Sequence, residues 1–394
     1  MKQPLNKVKY QGNCWPTREQ GLLLQATVWQ GQKAIEAWEK WECSVDIDKL
    51  DPGSHRLLPQ LYRNLRAQGV EHPLMGTFKG IYRQTWFKNQ LLFNNMAALL
   101  SAFRKVGIKT LILKGAALLL LYYKEYGLRP MEDVDVLVTT EDTPAAFNLL
   151  KELGWTPIPK QLITDRHAVA FEDGAGHEFD LHSHVLSECC QEDADDDFWD
   201  GAVSIKFHNL STYALNPTDQ LLHVCVHGAK WNFTPPFRWA ADAMMIMNSS
   251  NEIDWERLVT QAEKGHLILP LRDTLKYLKD ILDAPVPLTT IQSMQNMPTS
   301  RSEHVRYRYK TRPTKLKGPL LIFQFYYVDH SLGEGTGLLK ILIGFLRFLK
   351  DRWGVDHLWQ VPFHGVMKSM SVRRIWKTAV WNSNRLLRRV SSQR

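Results

Sequence analysis

The pattern of apolar and polar positions divides the chain into helical stretches at both ends and a short mixed segment between them. From about residue 17 to 106, apolar residues recur at helical spacing, as in "QGLLLQATVWQGQKAIEAWEKW", without the alternation typical of strands. Helical spacing returns from Pro217 onward, in runs such as "DWERLVTQAEKG" and "LPLRDTLKYLKDILD". The sequence therefore predicts a helical front and a helical back.

The segment between them has the pattern of a small α/β unit. "IKTLILKG" is a strand-like run closed by Gly115, and "AALLLLYYKEYG" after it predicts a helix that ends at Gly127. "DVDVLV" predicts a second strand, and "TPAAFNLLKELGW" a helix capped by Thr143. "HAVAFED" and "HEFDLHSHV", joined by "GAG", predict an antiparallel hairpin. We therefore expect an α+β fold with a small mixed β-sheet, flanked by N- and C-terminal helical regions.

The chain is long enough for more than one structural region. At 394 residues it exceeds one ordinary hydrophobic core. We expect an N-terminal helical region over 1–106, the α/β core over 107–210, a C-terminal helical region over 211–300, and a basic, partly apolar region of unknown role over 301–394.

Composition places the chain among folded globular proteins, with 44% hydrophobic and 23% charged residues. Its five cysteines lack CxxC spacing, so neither a disulfide framework nor a thiolate zinc site is indicated. The amino terminus has no apolar run of signal-peptide length, and no segment approaches the roughly 20 apolar residues that span a bilayer. We therefore expect a cytoplasmic protein without a transmembrane segment.

Positive charge is concentrated near the carboxyl end. The net charge is +8, and the eight lysines and arginines after Asp356 are not matched by any acidic residue. A second basic run, "RYRYKTRPTKLK" (306–317), has interleaved tyrosines. Such runs attract polyanions or anionic membrane surfaces, although most are solvated faces or tails. We therefore expect a polyanion or an anionic membrane surface as a candidate partner, with the protein then peripheral at the membrane; we recognise no nucleic-acid-binding module.

The stretch "LRPMEDVDVLV" (128–138) places two carboxylates inside an otherwise apolar strand. Residues i and i+2 of a strand point to the same face, so Asp133 and Asp135 lie side by side. Without a counter-charge they repel each other and the pKa of one rises. Mg²⁺ takes oxygen ligands and commonly sits between carboxylates and substrate phosphates. The pair therefore predicts a metal site.

Other residue types in the same segment complete a candidate site. Asp180 lies in the strand-like run "HEFDLHSHV", and three carboxylates at one sheet edge can hold two cations for phosphoryl or nucleotidyl transfer. Gly115 lets the backbone approach a phosphate at the start of a helix, where Lys114 adds a positive charge. Arg129 is a candidate clamp for a phosphate or an acceptor carboxylate, or a structural partner of Asp133 or Glu132.

These motifs resemble the nucleotidyltransferase superfamily with the polymerase-β-like core. The pattern "lKG…R.m.DiDlLv…DlH", here Lys114 to Gly115, Arg129 to Met131, Asp133 to Val138 and Asp180 to His182, is similar to that of an uncharacterised branch, over roughly residues 15–290. Three features depart from the usual pattern: Lys114-Gly115 replaces Gly-Ser, 17 residues separate Gly115 from Asp133, and Ser183 stands where an aromatic residue is common.

The resemblance implies Mg²⁺-dependent (or Mn²⁺-dependent) transfer of a nucleoside monophosphate from an NTP to an unidentified acceptor, with release of pyrophosphate. The acceptor could be a small molecule, a peptide, a glycan precursor or a protein. The resemblance implies that Asp133, Asp135 and Asp180 bind metal and act in catalysis, that Lys114, Gly115 and Arg129 contact the NTP, and that His182 supports the metal site or contacts substrate.

Several alternatives stay open at this point. The protein could be a non-catalytic scaffold of this fold that uses its basic C-terminal region. His182 and His184 precede Cys189 and Cys190, which leaves a zinc hydrolase as a third hypothesis. His223 and His227 lie four apart on a predicted helix and are either metal ligands or core residues. We also expect Arg238 and Asp242 to form an ion pair at helical spacing.

Overall fold

The structure is a computed structural model and describes residues 14–158, 167–191, 193–230, 237–249, 253–312, 316, 319–330 and 338–365. It contains two compact units, Met1–Pro313 and Thr314–Arg394. Among the described residues, no helix combines the length and the apolar character needed to cross a membrane.

The first unit begins with helices, as the periodicity predicts. They are α1 (Arg18–Val28), α2 (Gln32–Glu42), α3 (Pro52–His55), α4 (Leu58–Ala67) and α5 (Met75–Lys105), with a 3₁₀ turn at Ile47–Lys49 between α2 and α3. A capping box starts α1, in which the Thr17 hydroxyl accepts from the Gln20 amide and the Gln20 side chain accepts from the Thr17 amide. The predicted helical front is confirmed.

One mixed sheet of seven strands follows. Its strands are β1 (Leu111–Ile112), β2 (Asp133–Leu137), β3 (Thr156–Pro157), β4 (Ala168–Glu172), β5 (Glu178–His182), β6 (Val203–Phe207) and β7 (Leu210–Ala214). Their order is β3-β4-β5-β2-β1-β7-β6. β2 pairs with β5, and β1 with β7, in parallel, whereas the other neighbours are antiparallel. The predicted α+β class and the β4–β5 hairpin are confirmed, and the sheet extends to Ala214.

Helices connect and follow the strands. Between β1 and β2 lies α6 (Lys114–Leu118), which continues as a π-helical turn (Leu119–Tyr123), and α7 (Thr143–Glu152) follows β2. The others are α8 (Asp196–Asp200), α9 (Pro217–Gly228), α10 (Trp239–Ser249), α11 (Trp255–Lys264), α12 (Ile268–Leu282), α13 (Leu288–Asn296) and α14 (Arg301–Thr311). The predicted helical back is confirmed.

Two predicted helix ends are wrong. The helix after β1 ends at Lys124, whose φ of 55° is left-handed, instead of at Gly127. A Cβ on Gly127 would lie 2.3 Å from Cε2 of Tyr82, so this glycine is required by close packing. α7 is preceded by Asp142 at the cap position, while the hydroxyl of Thr143 donates to the carbonyl of Thr139. Long-range packing and a local turn therefore decide ends that residue preference alone does not.

The helical front, the sheet and the helical back share one continuous hydrophobic core. Its largest fully buried side chains come from all three parts and include Trp41, Phe78, Phe93, Phe103, Phe179, Phe207 and Phe237. The core fixes the positions of β2, β5 and α6, on which the candidate site stands.

Part of the basic run 306–317 serves the first unit internally. Arg306 is 5% exposed and donates to the backbone carbonyls of Glu188, Gly265 and His266. Lys310 donates to the buried carboxylate of Glu188 at 2.8 Å. These two cations are committed to buried acceptors, which reduces the charge that the run offers to a partner.

The second unit contains α15 (Pro319–His330) and α16 (Leu338–Trp353). Its small core consists of Tyr326, Ile341, Phe345, Leu349 and Val361. The eight cations that follow Asp356 lie outside the described residues. Their predicted role as a polyanion or membrane contact stays a prediction.

Candidate functional site

The three predicted aspartates stand on two adjacent parallel strands. In the register of β2 and β5, Asp135 is opposite Asp180 and Asp133 is opposite Glu178. Positions that match across a sheet point to the same face, so the carboxylates converge. One ligand atom each from Asp135, Asp180 and His182 lie within 4.8 Å of one another, close enough to hold a metal ion. His182 thereby joins a metal-capable group, beyond the supporting role predicted for it.

A lysine already neutralises one of these carboxylates. Lys114 Nζ donates to Asp135 Oδ1 at 2.5 Å, and His182 Nε2 lies 3.0 Å from the same oxygen. Lys114 begins α6 with φ at 45°, a left-handed backbone that residues other than glycine seldom adopt. Asp135 is 2% exposed, so its charge needs these partners. Lys114, which the sequence predicts to bind phosphate, therefore contacts Asp135, a candidate metal ligand.

The two aspartates of β2 differ in their electrostatics. Burial and the neighbouring Asp135 raise the pKa of Asp133 to about 7, although Lys114 acts in the opposite direction. Burial also acts to raise the pKa of Asp135, but Lys114 and His182 outweigh it and hold that pKa below its usual value. Asp133 therefore lacks the counter-charge that Asp135 has. Buried carboxylate oxygens of this kind fit a hard divalent cation such as Mg²⁺ or Mn²⁺.

Arg129 is held in place by a buried carboxylate. Its Nε and Nη2 donate to Asp242 of α10 at 2.8 and 3.0 Å, and the hydroxyl of Tyr123 donates to the same carboxylate at 2.8 Å. The expected pairing of Arg238 with Asp242 is wrong, because Arg238 donates instead to the carbonyl of Pro130. Arg129 Nη1 is left facing Gly115, where an added Cβ would be only 2.6 Å away.

Asn89 anchors the loop that carries Arg129, and the sequence analysis missed it. This fully buried side chain donates to the carbonyls of Tyr126 and Arg129 at 2.6 and 2.9 Å, and accepts from the amide of Met131. The sequence did contain a signal for this residue. The amide side chain of Asn89 lies at helical spacing from Phe93 and Met96, on the apolar stripe of α5. A buried polar side chain in such a stripe needs partners that lie elsewhere in the chain.

An open cleft of about 330 Å³ lies in front of these residues. Its wall includes the predicted site residues Lys114, Gly115, Arg129, Asp133 and Asp135, whereas Asp180 and His182 lie close to Asp135 but are not among the lining residues. Arg56 and Arg238 add two cations that the sequence analysis missed. The cleft thus combines carboxylates that could hold a metal with four cationic side chains that could contact phosphates, and its lining carries as many carboxylates as cations.

Two histidines of α9 also line the cleft. His223 is buried, and burial with Lys114 nearby lowers its pKa to about 3, whereas the side chain of His227 is exposed. Their ring centroids are 6.0 Å apart. The imidazole of His223 is therefore neutral in the free protein and adds no positive charge to the cleft.

The residues considered for a zinc site are dispersed. His184 Nδ1 lies 2.6 Å from Asp195 Oδ2, and Cys189 Sγ donates to the carbonyl of Gly265. In the described part of the chain, the metal-capable group is the one formed by Asp135, Asp180 and His182, without a cysteine. The geometry thus offers no support for a zinc hydrolase.

Gly115 makes a testable contribution to this site. Gly115→Ala would place a Cβ 2.6 Å from Arg129 Nη1 and 2.9 Å from Met131 Sδ, and Arg129 cannot retreat without breaking its bonds to Asp242. We expect a loss of about 1–3 kcal/mol in the free energy of unfolding, measured by chemical denaturation.

Gly80→Ala is the matched control, because a Cβ there meets nothing within 4 Å inside α5. We expect that variant to gain about 0.5–1 kcal/mol. Equal effects of the two substitutions would contradict the close packing of Gly115 against Arg129.

One comparison with known proteins identifies a family. A family model described as an uncharacterised nucleotidyltransferase matches residues 53–283, more than half of the 394 residues. No curated protein matches the chain.

Similarity to solved structures is low. The lincomycin-bound lincosamide antibiotic adenylyltransferase LnuA is 12% identical with a TM-score of 0.29, over 40% of this chain and 97% of that one. A nucleotidyltransferase-like protein from Paracoccidioides brasiliensis is 14% identical with a TM-score of 0.35, over 51% and 95%. The antibiotic-resistance factor ANT(2'')-Ia is 11% identical with a TM-score of 0.30, over 50% and 96%. At such scores only the family model bears on identity.

Proposed function

Because the chain belongs to the family of uncharacterised nucleotidyltransferases, we propose that it transfers a nucleoside monophosphate from an NTP to an acceptor hydroxyl or phosphate, with Mg²⁺ or Mn²⁺ and with release of pyrophosphate. The observation that supports this most directly is the convergence of Asp135 with Asp180 across parallel strands, beside Asp133 and a cleft lined by both carboxylates and cations.

In this proposal each aspartate has a role. Asp133 and Asp135 hold the divalent cations, and Asp180 helps to hold the second one and accepts the proton of the acceptor hydroxyl. When bound, the cations supply charge neutralisation for the phosphates and for the attacking and departing oxygens. The acceptor oxygen bonds to the α-phosphorus while the bond from that phosphorus to pyrophosphate breaks.

The cationic side chains of the cleft position the triphosphate. Lys114 neutralises Asp135 in the free protein. Once a metal ion neutralises that carboxylate, the lysine side chain can turn toward a phosphate. Arg129 offers Nη1 from a position fixed by Asp242, so little conformational entropy is lost when it binds a phosphate. Gly115 permits the close approach that this geometry requires.

We propose that the protein is cytoplasmic. The basic residues after Asp356 favour a polyanionic or membrane-near acceptor, since a soluble neutral acceptor would leave that charge without a role.

Thermal stability with each of the four NTPs, with and without Mg²⁺, tests the nucleotide site. A ligand at about 100 times its Kd should add roughly 2.7 kcal/mol to the free energy of unfolding. We expect this stabilisation only when NTP and metal are both present, and expect it to vanish in Asp133→Asn/Asp135→Asn.

The chain offers a matched control, because Asp46 and Asp48 have the same spacing and lie near the 3₁₀ turn, away from the cleft. Asp46→Asn/Asp48→Asn should keep the full response. If the wild type is not stabilised by any NTP with metal, the nucleotidyltransferase proposal fails and a non-catalytic scaffold becomes the better explanation of the retained fold.

A further inference from the structure

A second cavity, of about 450 Å³, lies directly beside the nucleotide cleft. The two cavities share four wall residues, namely Arg56, Pro130, Met131 and Glu132. Asp133 follows Glu132 in the chain, so the shared wall ends at the first proposed metal ligand. A molecule in the second cavity would therefore lie next to the proposed metal site.

One helix builds most of the second cavity's polar wall. Ile81, Gln84, Thr85 and Lys88 of α5 lie at spacings of three and four residues, which places them on one stripe of the helix. The loop 130–132 forms another part of the wall, and Asn89 of the same helix bonds to the backbone of Arg129 and Met131. The cavity is thus held open by fixed elements.

Three polar side chains in this stripe have no partner among the described residues. Thr85 is 6% exposed, yet no hydrogen bond of its hydroxyl is found among the described residues. The exposed side chains of Gln84 and Lys88 likewise make no hydrogen bond or ion pair in the described part of the chain. Thr85, Gln84 and Lys88 can therefore offer their polar groups to a ligand or to solvent in the cavity.

The charge of the cavity favours an anion. Arg56 Nη2 pairs with Glu132 Oε1 at 2.5 Å, which neutralises the one acidic side chain in the wall. Lys88 then remains as an uncompensated cation, with His55 nearby. The Arg56 and Glu132 side chains are 37% and 75% exposed, and such a pair is weak enough for Arg56 to exchange partners.

We propose that this cavity binds the acceptor of the nucleotidyl transfer, and that the acceptor carries an oxyanion, either a carboxylate or a phosphate. Lys88 binds the oxyanion, assisted by Arg56, and Thr85 and Gln84 hydrogen-bond to the acceptor. Leu50 and Ile81 contact its apolar part. The identification of the bound molecule as the acceptor rests on the proposed function, whereas the anion site itself does not depend on that function.

Ligand-observed NMR titration of two matched fragment pairs tests the inference. The carboxylate pair is para-(hydroxymethyl)benzoate with para-(hydroxymethyl)benzamide, and the phosphate pair is para-(hydroxymethyl)phenyl phosphate with para-(hydroxymethyl)phenol. We expect the full-length protein to bind the anionic member of at least one pair about tenfold more tightly. The pair with the larger ratio identifies the oxyanion.

Lys88→Gln should reduce that ratio to about one. Lys79→Gln should preserve it, because Lys79 lies exposed on the same helix but outside the cavity wall. Equal binding of both members, absence of binding, or an unchanged ratio in Lys88→Gln would overturn the anion site. If the protein prefers the anion but is not stabilised by NTP with metal, the proposed function fails. The anion site would then stand, but its role as an acceptor site would be refuted.

Discussion

Replacing Asp133 by asparagine should make the metal-free protein more stable and at the same time lower nucleotidyl transfer by about a thousandfold or more. The carboxylate is half-buried beside Asp135, and this raises its pKa to about 7, so its charge is unfavourable without a cation. The same charge would be needed to hold the divalent cations, which contribute several kcal/mol to transition-state stabilisation. A group that destabilises the free protein while serving a ligand is typical of functional sites.

The effect of Asp133 on stability has a defined pH dependence. Because its pKa is raised on folding, its contribution to stability is fully present below about pH 4 and is lost as the pH rises to about 7. In EDTA, wild type and Asp133→Asn should therefore differ little near pH 4. A pKa of about 7 instead of about 4 corresponds to roughly 4 kcal/mol, and solvent screening of this half-buried carboxylate reduces that amount. The variant should therefore be more stable by about 1–2 kcal/mol near pH 8, when denaturant titrations are compared.

Asp135→Asn is the matched comparison, because the pKa of Asp135 is shifted in the other direction. Burial opposes its charge, but Lys114 and His182 stabilise it, so removal of the charge should destabilise the protein at neutral pH. Both variants should lose transfer activity, measured as release of pyrophosphate. Destabilisation by Asp133→Asn at pH 8, or retention of activity, would contradict the electrostatic description of the pair.

Asp242→Asn should lower the free energy of unfolding by about 3–5 kcal/mol. The carboxylate is 4% exposed and accepts from Arg129 twice and from Tyr123 once, so the substitution leaves a buried guanidinium without its counter-charge. Arg129 would also lose the orientation that directs Nη1 toward Gly115, so NTP affinity should fall as well. Denaturant titration and NTP-dependent thermal shifts measure the two effects.

Two further variants test whether the loss of stability comes from the Arg129–Asp242 pair or from a general effect of substitution. Arg129→Met/Asp242→Leu should be less destabilised than the sum of the single variants, since neither charge is then left alone. Asp283→Asn should cost under 1 kcal/mol, because its pair with Lys33 is exposed and asparagine tolerates the left-handed backbone at this position. Additive effects at 129 and 242 would show that the two side chains do not act together.

Local patterns determined much of what the sequence indicated. The apolar periodicity predicted the helices before residue 106 and after Pro217, and the alternation around Asp180 predicted the β4–β5 hairpin. The spacing of Asp133 and Asp135 placed both on one face of a strand, and the run around Asp180 supplied the third carboxylate. These features follow from the fixed periods of helices and strands, so a short stretch of sequence is enough to predict each of them.

Only the tertiary structure decided which distant groups meet. The sequence contained no signal that Arg129 pairs with Asp242, 113 positions away, instead of with Glu132 or Asp133. It also did not show that Lys114 reaches Asp135, that Asn89 anchors the loop before β2, or that Gly127 makes room for Tyr82. Such contacts depend on how elements pack around a shared core, and the energy of a buried charge depends on all its neighbours at once.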